Sequence, residues 1–457
     1  QHRQSVEDSP SNIPWKTMIS PAITRVVALV ALLVSAMAAS SGSVHKPSVL
    51  IAYDSALVPD VEVLTKTIPL DASKYELQYV DYSNKNEDLF ANDEPLYDHA
   101  VFMPSSKKIV EAKNLVEKHN LLEFFNLGGN VIAVGSSEYS VPEDVRTFLN
   151  QAGVHPAPKG YMLMDHFDTN VAISDKNLVS KKIVTRAEVS KYDGTVALAS
   201  NSELLFPLIK APKLSFTASS KDKSLTAEKT WTVGEQGYLA VAFQGLNNAR
   251  GAWVGSLDLL SDELVSWVFQ ETGVLKLQFV EHYKQDEPGL SNRTLYRIKD
   301  SVYYTVGVSE LKNGDWVPYS PASDDDVLQL SFKMLDPYQR LNMSLLGPAA
   351  SVEDGENDMN VFFVEFDIPD HHGMFTYELD YKREGLSFLE DKKVVTVRHL
   401  ANDEFKRSWE ITNAWMYMVS AALVVIAWLI FVASFLYLGA QKKGVSEKQP
   451  QPKKNEK

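Results

Sequence analysis

Gly135-Ser136-Ser137 stands directly behind the apolar run Asn130–Val134, and His166 and Asp168 follow downstream. A hydroxyl at a strand end, a histidine base and a carboxylate to orient it would make an acyl-transfer triad. The local spacing argues against one. A nucleophile elbow needs the turn Gly-x-Ser-x-Gly, whereas Gly135 directly precedes Ser136 and Tyr139 follows. A strand-end turn and a loop histidine are the plainer reading. The chain has no cysteine, which excludes thiolate nucleophiles, zinc–thiolate sites, thiol redox motifs and disulfides.

Other clusters carry less chemistry. Asp370-His371-His372 offers metal ligands, but adjacent histidines on a turn point apart and no third ligand is identifiable, so a hairpin turn is expected. Asp324-Asp325-Asp326 and the group Glu353, Asp354, Glu356 and Asp358 lack the one-three-five spacing and closing Glu of a calcium loop. Solvated loops are expected there. Asn247-Asn248-Ala249-Arg250, between two apolar runs, is the least ordinary stretch. Arg250 would face a glycan, a phosphate or a partner, or else cap a neighbouring helix or pair with Asp258 or Asp262. The structural role is the expectation. Two sequons, Asn292-Arg-Thr294 and Asn342-Met-Ser344, are candidate N-glycosylation sites.

The elements that position these residues fall into two patterns. Ser48–Tyr53, Glu76–Val80, Ala100–Met103 and Asn130–Val134 read as strands. Ile109–Lys118 reads as a helix, and Asn120 with Glu123 as the N-cap of a second that stops at Gly128-Gly129. Strands alternating with helices predict a parallel α/β sheet. It resumes at Tyr238–Phe243, Gly251–Gly255 and a helix over Leu259–Phe269. Residues 46–272 are thus read as one α/β domain, with room for a β-rich insertion at 171–235; two separate domains are the alternative. Beyond Gly273, Ser301–Val308, Val327–Leu335, Val361–Phe366, Met374–Tyr381 and Val394–Val397 come at short spacing, which predicts a β-sandwich-like domain over 273–408.

Two uncharged runs set the context. Val26–Ala39, behind Arg25 and with Ala36-Met37-Ala38 as a small-x-small site, has the form of a signal peptide, so residues 1–39 read as leader and upstream extension. Trp415–Leu438 is long enough to cross a bilayer, at about 36 Å, with aromatic residues at both ends. Lys442, Lys443, Lys448, Lys453, Lys454 and Lys457 crowd the segment behind it, which by the positive-inside rule puts residues 439–457 in the cytosol and the larger part in the lumen. The whole chain carries −14, the tail +4 and residues 1–40 +1, so the lumenal part holds about −19. That balance disfavours nucleic acid. Within the membrane run, Ser420, Ala427 and Ser434 recur every seven residues, close to two helical turns of about 7.2, and so share one face among Leu423, Val424, Ile430 and Phe431. With Trp428 beside them they form a candidate helix-packing face, since small residues permit close approach in lipid.

Four ordered stretches carry a likeness. Tyr238 to Leu264 (YLAVAFQGLNNARGAWVGSLDLLSDEL), Tyr296 to Tyr319, Ser331–Tyr338 and Phe366 to Tyr381 resemble segments of the type I, non-catalytic subunit of the endoplasmic reticulum oligosaccharyltransferase, its beta or forty-eight-kilodalton subunit. The resemblance implies a structural or assembly subunit of the complex that moves a preassembled oligosaccharide from dolichyl diphosphate onto Asn of Asn-x-Ser/Thr. The chemistry would belong to a separate multi-spanning subunit, with no cofactor and no catalytic residue here. The implied partners are that subunit, a ribophorin-type subunit and the defender-against-cell-death subunit. The implied fold of the first part is a degenerate amidotransferase- or flavodoxin-like α/β domain. Fungal members end in lysines third and fourth from the end; here Lys453 and Lys454 are fifth and fourth. A lumenal glycan-binding receptor or chaperone, and an α/β hydrolase or amidotransferase, are the alternatives.

Overall fold

The computed structural model describes residues 46–405 and 414–444, apart from 60, 93, 168–169, 220–228, 313, 324 and 351–357. The run at 26–39, Asp168, Asp324, Glu353, Asp354, Glu356, Trp409 and the tail beyond 444 lie outside the described residues.

The first part is built on a nine-stranded sheet. In chain order its elements are β1 (Ser48–Tyr53), α1 (Val61–Thr67), β2 (Glu76–Asp81), β3 (His99–Phe102), α2 (Lys118–Asn126), β4 (Asn130–Val134), α3 (Glu143–Ala152) and β5 (Val154–Pro156). After β6 (Tyr161–Asp165) come β7 (Ala197–Ala199), β8 (Leu205–Lys210), β9 (Ser215–Ser219), β10 (Tyr238–Gln244), β11 (Arg250–Val254) and α4 (Asp262–Val268). The strand order is β2-β1-β3-β4-β11-β10-β7-β5, with β8 also on β10. β3, β4 and β11 are buried along their length because both faces of the sheet are covered. Alternation sends their side chains to two separate cores. Val49, Ile51, Val101, Ile132 and Val254 meet Leu64 of α1 and Leu264 of α4 on one face. Leu50, Ala100, Phe102, Val131 and Trp253 meet Leu121 of α2 and Phe148 of α3 on the other.

Several expectations change. Pairing is parallel from β2 through β11, but β10, β7, β8 and β5 join antiparallel, so the sheet is mixed. β7 and β8 come from the stretch expected to be an insertion, yet they lie in the main sheet. Among the described residues, β6 and β9 with Thr232–Val233, the ladder of Val171–Ile173 with Val189–Tyr192, and the short pair Phe90–Ala91 with Glu94–Pro95 stand apart from it. Of the helix expected over Ile109–Lys118, one turn at Lys113–Val116 forms; Ile109 lies exposed. Asn120 is not an N-cap. The helix begins at Lys118, and the Asn120 amide donates instead to the Asn114 carbonyl at 2.7 Å. α4 starts at Asp262, where Ser261 caps it by accepting from the Leu264 N–H. α3 was not anticipated.

The remainder is sheet. It holds β12 (Val274–Lys284), β13 (Leu295–Arg297), β14 (Ser301–Lys312), β15 (Asp315–Pro318), β16 (Gln329–Lys333), β17 (Pro337–Asn342), β18 (Ser344–Ala349), β19 (Met359–Asp367), β20 (Gly373–Tyr381) and β21 (Leu389–Arg398). They form two five-stranded sheets, β12-β14-β19-β18 with β15 on β14, and β13-β21-β20-β16-β17. Val302, Tyr304, Val306 and Val308 alternate inward from one sheet, and Phe375, Tyr377, Leu379 and Tyr381 from the other, into one shared core. Phe332 stacks on Phe375 at 4.6 Å, and Tyr304 on Tyr377 at 5.5 Å.

Last comes α5 (Ala414–Gly444). Its Ala414–Gly439 stretch has a mean hydropathy of 2.6, is unburied among the described residues, and is long and apolar enough to cross a membrane.

Candidate functional site

β1 has β2 on one side and β3 on the other, so the gap beyond the ends of β1 and β3 is the switch point where open α/β sheets hold ligands. Here it is closed. The Asp54 carboxylate accepts from the Ser106 N–H (2.8 Å), the Ser106 hydroxyl (2.6 Å), the Ser105 hydroxyl (3.2 Å) and the Ala56 N–H (3.0 Å). Burial alone would raise this carboxyl; the hydrogen bonds from Ser106, Ala56 and Ser105 outweigh it and hold the group below the usual carboxylate range. Lys159 donates to the Ser106 carbonyl at 2.6 Å and pins the same loop. The space left among Asp54, Tyr82, Ser105 and Val110 is about 10 Å³, too little for more than one water.

Ser136 and Ser137 follow β4 as expected, and Ser137 is buried. His166 lies exposed beyond β6 with its ring against Phe216, 4.5 Å between centroids. No hydrogen bond joins it to either serine among the described residues. His371 and His372 do point apart: His371 meets Tyr338, and His372 meets His399 at 3.9 Å. They sit in the loop between β19 and β20. Asp370 pairs with Lys299 at 2.8 Å.

The most elaborate polar constellation is the stretch Gln244 to Arg250, the turn between β10 and β11. Asn247 donates to the Phe125 and Asn126 carbonyls at 2.7 and 2.9 Å, closing the end of α2. Asn248, at φ 66°, reaches the other way. Its amide donates to the Phe388 carbonyl (3.1 Å) and its oxygen accepts from the Phe388 N–H (2.7 Å), as an added strand would. Gln244 donates to the Leu386 carbonyl at 3.3 Å.

Arg250 is fully buried. Its Nη1 donates to the Trp267 and Thr272 carbonyls, both at 2.7 Å. Its Nη2 donates to the Gly273 carbonyl at 2.7 Å and the Ser387 hydroxyl at 3.1 Å. The guanidinium lies 4.7 Å from the Trp267 ring centroid. The expectation of a helix cap holds, since Trp267 lies in the last turn of α4, where a cation suits the helix dipole. Pairing with Asp258 or Asp262 does not occur. Burial lowers the group to about 9, so it stays charged at neutral pH. Gly273 completes the joint: φ is 66°, and an added Cβ would lie 2.3 Å from the Gly385 carbonyl. One cluster therefore ties α4, the crossing at 272–273 and the segment 385–388 between β20 and β21. An open groove of about 640 Å³, lined by Leu204, Phe206, Leu246, Arg383 and Phe388, flanks it.

A second buried group supports this joint from below. Asn130 accepts through Oδ1 from the Arg250 N–H and from Gln270, so its amide faces Nδ1 of His99 at 3.1 Å. His99 is therefore a neutral imidazole with its proton on Nε2. It stacks on Phe269 at 4.1 Å, and burial pushes it down to about 4. His282 is likewise lowered to about 4, by burial and by Lys393, with Nδ1 at 2.6 Å from the Tyr296 hydroxyl. Neither histidine stood out in the sequence, because burial depends on chain-distant strands.

Both sequon asparagines are exposed. Asn292, at φ 55°, lies before β13, and Asn342 ends β17. On α5, Ser420 donates its hydroxyl back to the Tyr417 carbonyl at 2.8 Å, and Ala427, Trp428 and Ser434 are exposed.

Fold and site together define a class: among the described residues, an α/β part followed by sheet, with one membrane-length helix and the richest polar cluster spent on joining these parts. The chain belongs to the OST48 family, matching the model of the OST48 N-terminal domain over residues 40–285 and of the OST48 middle domain over 282–439. It is 35% identical, over 85% of its length and 90% of the relative's, to the dolichyl-diphosphooligosaccharide–protein glycosyltransferase subunit WBP1 of Saccharomyces cerevisiae. It is 28% identical to the subunit wbp1 of Schizosaccharomyces pombe over 76% of this chain and 83% of that one. To the 48 kDa subunit of Drosophila melanogaster it is 27% identical, over 73% and 79%.

Proposed function

We propose that this chain is a structural, non-catalytic subunit of the oligosaccharyltransferase complex in the endoplasmic reticulum membrane. The carrying observation is the end-to-end likeness to a subunit of that transferase, spanning 90% of the relative's length. The closed switch point supports a role in assembly rather than catalysis. On this reading 46–272 is a degenerate amidotransferase-like domain, 273–408 a β-sandwich-like domain, and α5 a spanning helix with the tail in the cytosol. Asn292 and Asn342 then face the lumen as glycosylation sites. The partners are the multi-spanning catalytic subunit, the ribophorin-type subunit and the defender-against-cell-death subunit.

Affinity purification of the intact chain from mild detergent tests this. Those subunits should come with it, and depletion should leave sequons of secreted proteins unoccupied while the carrier-linked oligosaccharide is assembled normally. Purification without any transferase subunit would sink the proposal. A large loss of glycosylation from Ser136→Ala or His166→Ala, with assembly intact, would restore the enzyme reading.

A further inference from the structure

The last strand of the sheet-rich part decides which end of it lies toward α5. β21 finishes at Arg398, beside Gly373 at the start of β20 and Arg297 at the end of β13. The chain beyond is pinned to this same end. Glu404 accepts from Arg398 at 2.8 and 2.9 Å and from Arg297 at 3.0 Å, and also takes the Ala401 N–H. From Phe405 to Ala414 the backbone can reach about 30 Å at most, at roughly 3.3–3.6 Å per residue.

That end carries an apolar tip. β16 and β17 turn through Met334-Leu335-Asp336, and the register of Lys333 with Pro337 and Thr376 sets the turn over the start of β20. Met334 lies against Gly373, and Leu335 is 92% exposed, more than any other large apolar residue described. Tyr338, Met374 and Phe405 add exposed apolar surface. Lys299, paired with Asp370 at 2.8 Å, and His371, His372 and His399 rim the same end, and Asp336 stands in the turn itself. An apolar tip with a tyrosine beside it matches the water–lipid boundary, where amphipathic aromatic rings take headgroup positions.

We infer that this end of the sheet-rich part rests on the bilayer, with the Met334–Leu335 tip inserted at the acyl–headgroup boundary and Tyr338 at headgroup level. The partner is a lipid surface, reached because the chain leaves the sheets here for its own membrane helix. The contact gives the protein a second membrane attachment and sets the tilt of everything above it. It requires α5 to span a membrane and does not depend on which complex the chain serves.

The absence of native cysteine makes the test clean. The full-length chain carrying Leu335→Cys, labelled with an environment-sensitive fluorophore, is reconstituted into phosphatidylcholine vesicles containing lipid with a nitroxide high on its acyl chain. Leu246→Cys, also exposed but at the groove beside the joint, is the control. Flotation establishes incorporation, and thermal unfolding establishes that both variants fold. Quenching by nitroxide lipid should be at least about threefold stronger at 335 than at 246. Equal quenching at the two positions overturns the inference. So does a label at 335 that becomes shielded from aqueous iodide only within an assembled complex, because a protein partner then covers the tip. Failure to float overturns it as well, by removing the membrane helix.

Discussion

Arg250 holds a charge where no carboxylate pairs with it among the described residues, so three carbonyls and one hydroxyl must replace its water. Arg250→Met removes the charge but leaves those four acceptors facing an apolar side chain. We expect a loss of roughly 3–5 kcal/mol, with faster proteolysis at 272–273. Arg250→Lys should recover only part of it, since one ammonium lacks the planar fork that serves acceptors from two sides. Equal unfolding midpoints for Met and wild type would show that the joint does not depend on this residue. His99 and His282 give a pH signature. Above about 6.5 both are neutral folded or unfolded. As pH falls toward 4 the unfolded chain takes up protons that the folded chain refuses, so stability is lost across that window. A shift of this size is on the order of 3 kcal/mol for a fully buried imidazole such as His99. Denaturant midpoints measured between pH 7 and 4 should fall, and His99→Gln should flatten the slope. A slope unchanged by His99→Gln would refute the assignment.

At the scale of elements, the Ala414–Gly439 stretch of α5 is apolar and unburied among the described residues, so the packing of this stretch must come from lipid or other helices. Ser420 spends its hydroxyl on Tyr417, which leaves Ala427 and Ser434 as the positions where close approach matters. Ala427→Leu with Ser434→Leu should weaken co-purification of partner subunits while insertion stays normal, and Leu423→Val with Ile430→Val should be silent. Wild-type yields from the paired Leu variant would leave assembly to the part before α5. The short strands were legible because each is an apolar run of the right length between polar turns, as at Asn130–Val134. The starts of the helices between β3 and β4 were not. Lys113–Val116 is one turn whose buried Leu115 and Val116 hold it, and no cap residue marks either start.

For the whole molecule, orientation is the property most open to test. Asn292→Gln and Asn342→Gln should each remove one glycosidase-sensitive mobility step, and both together should abolish it. In sealed microsomes added protease should clip only the lysine-rich tail. Protection of the tail would reverse the orientation. What the sequence by itself determined is whatever depends on composition and local period: the membrane-length helix, the strand runs, the exclusion of thiol chemistry and the family likeness. Tertiary structure alone decided how distant segments meet. β8 and β10 are about thirty residues apart yet pair, and Phe388 lies 140 residues from the Asn248 that holds it. Asp54 fills the switch point, Arg250 locks the joint and His99 resists protonation below its ordinary range because long-range packing brings their partners together and removes water from them. Desolvation belongs to the assembled fold and leaves no mark on the spacing of residues along the chain.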